Sequence, residues 1–70
     1  MNTIEKNQLI ELIAEWIRMI IVSTYPKTDS QTMITSVAKT RSWLQGRDIH
    51  TLRGMSGPAR VGLARMGHPS

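Results

Sequence analysis

The sequence predicts an all-α fold: a two-helix antiparallel hairpin over residues 1–46 that dimerises into a four-helix-bundle-like core, followed by a Gly/Arg-rich, partly ordered tail over residues 47–70. Three observations carry this expectation. Apolar residues recur at helical spacing over an arc too wide for one neighbour, Pro26 interrupts that pattern, and the 70-residue chain has no cysteine. A domain this small buries only about 60% of the surface its unfolded chain exposes, so its core needs reinforcement. Disulfides are excluded, and His50 and His68 alone cannot assemble a structural zinc site. Self-association is the staple that remains.

In the first helix, Leu9, Ile10, Leu12, Ile13, Trp16, Ile17, Met19, Ile20 and Ile21 fill one continuous arc of roughly 200° at helical spacing. Asn7, Gln8, Glu11, Glu15 and Arg18 occupy the opposite side. Asn2 and Glu5 have the spacing of a capping box that opens the helix. An arc of this width exceeds the roughly 100° stripe that faces one neighbour, and a second copy related by a two-fold axis is the expected source of the extra contact.

Pro26 ends this helix, because its ring cannot continue the hydrogen-bond ladder and it pushes Tyr25 toward an extended conformation. Thr28 and Gln31 repeat the capping-box spacing, and Asp29 puts negative charge in the first turn of a second helix running from about Thr28 to Gln45. Met33, Val37 and Leu44 form its apolar stripe with Thr40, flanked by Ile34 and Ala38, and Gly46 supplies a stop. The expected dimer core is therefore Leu9, Leu12, Ile13, Trp16, Ile17, Ile20, Met33, Val37 and Leu44.

The remaining residues differ in kind. Residues 47–70 carry +3 from Arg47, Arg53, Arg60 and Arg65 against Asp48, whereas residues 1–46 carry +1. Asp48 is expected to cap a short turn holding Ile49 and Leu52, and Pro58 to begin another holding Val61 and Leu63, with the glycines weakening both.

No nucleophile beside a base, no paired catalytic carboxylates and no phosphate-cradling loop are present, so the expectation is a protein that is not an enzyme and uses no cofactor or metal. His50 and His68 read as exposed bystanders in a glycine-rich segment. The most apolar run, residues 17–22, is broken by Arg18 and is far shorter than the roughly 20 residues of a membrane span. The first residues mix acid, base and amides where a secretory signal has a basic and then an apolar region, so a cytoplasmic location is expected.

Partner binding is the first reading, ahead of nucleic-acid binding, a membrane-surface helix and a structural or assembly subunit. Trp43 falls off the apolar stripe and Tyr25 sits at the hairpin tip; either they anchor a partner, or Trp43 packs across the dimer while Tyr25 covers the bundle end. Tyr25, Lys39, Arg41 and Trp43 are the candidate contact residues, with Glu11 and Glu15 as an alternative acidic face toward a basic module. A nucleic-acid-binding protein using Arg47, Arg53, Arg60 and Arg65 is the second reading, although these arginines are sparse and not interleaved with aromatics.

Over IEKNQLIELIAEWIR at residues 4–18, and the helix of residues 28–46 behind it, the chain resembles the small anti-activator proteins of Mu-like Pseudomonas phages. The resemblance is one of size, helical hairpin and early-gene character, without a diagnostic motif. It implies a helical homodimer in the cytoplasm of an infected bacterial host. That dimer would bind the DNA-binding region of a LuxR-type quorum-sensing activator and block promoter binding. A second partner, the assembly ATPase of type IV pili, is implied as well.

Overall fold

The computed structural model describes residues 3–67, and over these it is all-α: α1 (Thr3–Thr24), α2 (Ser30–Gln45) and α3 (Ile49–Arg65). The Asn2 half of the first capping box and His68 lie outside the described residues. The chain turns after α1 at Pro26, where Tyr25 O accepts from Thr28 N at 3.0 Å and from Thr28 Oγ1 at 2.8 Å. Thr28 is thereby committed to the turn and does not cap α2. Asp29 does so instead, its carboxylate accepting from Thr32 N at 3.1 Å.

Two contacts set the direction of α2 against α1. Lys6 Nζ donates to the terminal carbonyl of α2 at Gln45, 2.9 Å away, and Arg41 donates from Nε and Nη2 to the two Glu11 carboxylate oxygens at 2.6 and 3.1 Å. Low numbers meet high ones, so the pair is antiparallel. In α3 the order reverses: Arg53 holds Glu5 at 2.7 and 3.0 Å, and Gly62 lies against Trp16, so α3 runs alongside α1 in the same direction. The central helix is α1, with the other two packed on its flanks.

The partly ordered tail expected over residues 47–70 is corrected here: residues 49–65 form one continuous helix, and Pro58 lies inside it instead of beginning a separate turn. Ile49, Leu52, Ser56, Ala59, Leu63 and Met66 follow at steps of three and four, a helical period that outweighs the glycines and proline between them. Leu52 and Ala59 are fully buried. Gly54, Gly57 and Pro58 lie on the exposed side. Gly57 has no Cβ to clash with the proline ring behind it, and the carbonyl that Pro58 deprives of its donor belongs to exposed Gly54, where water can bind it.

The expectation that only the first two helices build the core is corrected with it. Leu9, Ile10 and Ile13 from α1, Leu44 from α2, and Leu52 and Ala59 from α3 form one cluster, with Leu12, Trp16, Ile17, Ile49 and Met55 packed against it. The second neighbour demanded by the wide arc of α1 is thus α3, and the arc no longer calls for a second copy. Of the residues assigned to a dimer core, Leu9, Ile13, Val37 and Leu44 are buried within the single chain, whereas Leu12, Trp16, Ile17, Ile20 and Met33 are half-buried.

The Arg53 guanidinium, hydrogen-bonded to Glu5, holds that carboxyl below its ordinary range; Thr32 does the same for Asp29, and Thr51 for Asp48. A carboxylate with a depressed folded pKa contributes stability that is present above its unfolded value and is lost as pH falls through the folded value. The melting temperature is therefore expected to be flat near neutrality and to decline from roughly pH 4.5 downward. Glu5→Gln should lower the plateau and flatten part of that decline in thermal melts followed by circular dichroism. An identical acid limb in the variant would remove the Glu5–Arg53 pair from the account.

Candidate protein-binding surface

The sequence places Lys39 and Trp43 one turn apart, which puts them on one face of α2. Trp43 is 53% exposed. Gly46 closes α2, its N–H donating to Trp43 O at 3.1 Å, and Arg47 N donates to Leu44 O at 3.0 Å, so the chain folds back over the helix end. This turn brings the Arg47 guanidinium over the Trp43 indole, 4.9 Å from the ring centroid. Only the alternative nucleic-acid reading gives Arg47 a role, on phosphate; its place beside Trp43 depends on a turn that composition does not disclose.

The four candidate contact residues do not form one patch. Lys39 and Trp43 share a face, but Arg41 projects to the other flank of α2, where Glu11 holds it. Tyr25, 66% exposed, sits at the turn before α2, and the rise from residue 30 to residue 43 puts it about 20 Å along the helix from Trp43. The alternative acidic face is also altered: Glu11 is bound by Arg41, and Glu15 by Arg18. These carboxylates are already neutralised within the chain.

A second exposed apolar feature was not anticipated as a site. Arg18, Met33, Ile34, Val37, Ala38 and Arg41 line a shallow depression of about 230 Å³ between α1 and α2, with Ile34 62% exposed at its edge. Its signal in the sequence was Ile34 and Ala38 flanking the Met33–Leu44 stripe.

The four arginines of the nucleic-acid reading are dispersed. Arg53 is committed to Glu5, Arg47 lies on Trp43, and Arg60 and Arg65, five residues apart on α3, point well over a right angle from each other. Among the described residues, no three His, Asp or Glu come together to hold a metal ion, and no helix is long and apolar enough to cross a membrane. No family model, curated protein or solved structure matches this chain.

Proposed function

We propose that this chain is a protein-binding inhibitor that acts by occlusion, with Trp43 as its principal anchor. The observation that carries the reading is a large amphipathic side chain, half out in solvent near the end of a capped helix, with an arginine guanidinium over its ring. A rigid aromatic of this kind buries a large area on a partner at low entropic cost, which is the usual character of an interface hot spot. Occlusion needs no catalytic group. The resemblance to phage anti-activators supplies the partner, the DNA-binding region of a LuxR-type activator, with the type IV pilus ATPase as a second.

The homodimer belongs to this proposal in altered form. With α3 on the face of α1, a second copy would use Val22 and Ile34, the exposed apolar side chains where α1 and α2 meet the turn. Light scattering at micromolar concentration then gives about twice the chain mass. A single chain mass removes the dimer and leaves Trp43 as the anchor.

A gel-shift assay tests the inhibitor reading. A purified LuxR-type activator is bound to its promoter fragment, and the protein is titrated in. The wild type should release the DNA, and Trp43→Ala should need at least about tenfold more protein while keeping its helical circular dichroism. A shift that survives the wild type, or yields equally to both, contradicts the proposal.

A further inference from the structure

We infer that the Trp43 face takes an acidic protein segment carrying an apolar anchor; this rests on the protein-binding reading above and names the chemistry of the partner. All five acidic residues of the sequence are engaged inside the chain: Glu5 by Arg53, Glu11 by Arg41, Glu15 by Arg18, Asp29 by the N–H of Thr32 that it caps, and Asp48 by the Thr51 hydroxyl. Asp48 follows Arg47 directly, yet its carboxylate is turned to α3. Among the described residues no side-chain carboxylate therefore pairs with Lys39 or Arg47, the two cations beside the exposed indole.

An apolar plate flanked by two uncompensated cations is complementary to a helix or strand that presents carboxylates around an aliphatic side chain. A nucleic acid fits less well. Arg47 already occupies one face of the indole on which a base would stack. Of the other cations without a carboxylate partner among the described residues, Lys6 is held by the Gln45 carbonyl, Lys27 sits in the turn before α2, and Arg60 and Arg65 diverge on α3.

The test uses three labelled probes in fluorescence anisotropy: an amphipathic peptide of glutamate and leucine, the same peptide with glutamine for glutamate, and an oligothymidylate of equal charge. Two double variants remove equal charge, Lys39→Gln with Arg47→Gln on the proposed face and Arg60→Gln with Arg65→Gln elsewhere. All four positions are exposed, so the fold should persist and circular dichroism checks it. The glutamate peptide should bind the wild type, and the Lys39/Arg47 pair of substitutions should weaken it at least about tenfold. The Arg60/Arg65 pair should change it less than about twofold.

Equal weakening by both pairs, equal affinity for the glutamine peptide, or no binding of the glutamate peptide overturns the inference. Tighter binding of oligothymidylate, lost with Lys39 and Arg47, replaces it with nucleic acid. The gel-shift assay keeps the two proposals apart: Trp43→Ala losing inhibition while the Lys39/Arg47 double variant retains it removes the acidic partner and leaves the protein-binding reading in place.

Discussion

Leu52→Ala is expected to cost about 2–5 kcal/mol, the usual range for emptying a fully buried leucine site. A domain of this size has a total stability of about the same order, so the variant should be largely unfolded at room temperature. The physical reason is that Leu52 belongs to the same cluster as Ile13 and Leu44 from the other two helices. Were residues 47–70 an appended tail, the same substitution would be a surface change worth less than about 0.5 kcal/mol. Urea denaturation of the variant separates the two outcomes by several-fold in midpoint.

Gly62→Ala is expected to cost about 1–3 kcal/mol, although alanine is the better helix former. A Cβ at this position would lie 2.8 Å from Trp16 Cδ1 and 3.0 Å from Cε2, and it would meet Nε1 more closely still. The bare backbone of Gly62 is the floor on which the indole rests. At Gly54 a Cβ meets nothing within 4 Å, so Gly54→Ala on the same helix should stabilise by about 0.5–1 kcal/mol. For a chain of this length, each kcal/mol shifts the melting temperature by about 4–8 °C, and thermal melts read both signs directly. In a Trp16→Leu background the penalty at Gly62 should largely vanish. Equal effects at the two glycines would show that Trp16 does not pack on α3.

These two substitutions mark where sequence reasoning stopped. The periods of α1 and α2, and the break at Pro26, were legible because each is local: spacing, a ring that cannot donate, an acid near a helix start. The helix over residues 49–65 was obscured by three glycines and a proline, whose intrinsic cost is real but is borne by burial against α1. Its apolar steps from Ile49 to Met66 are present in the sequence, and in the folded chain that period outweighs composition. Without α3 the arc of α1 has no cover within the chain, and that is what calls for a second copy.

At the candidate site, the exposure of Trp43 was readable from its position off the apolar stripe, and that of Tyr25 from its place at the hairpin tip. The partners of the charged residues were not. Glu11 with Arg41, and Glu5 with Arg53, lie 30 and 48 residues apart and meet only once the relative direction and register of the helices are fixed. The same holds for Arg47, which reaches the indole through the turn at Gly46. An acidic strip read on one helix alone thus became a set of closed ion pairs in the folded chain.

The central claim, that Trp43 anchors a protein partner, is tested most directly by calorimetric titration of the chain into the isolated DNA-binding region of a LuxR-type activator. The account predicts stoichiometric binding by the wild type and a loss of at least about tenfold in affinity for Trp43→Ala at unchanged helicity. No heat of binding with the wild type, or the same affinity for the variant, would contradict it.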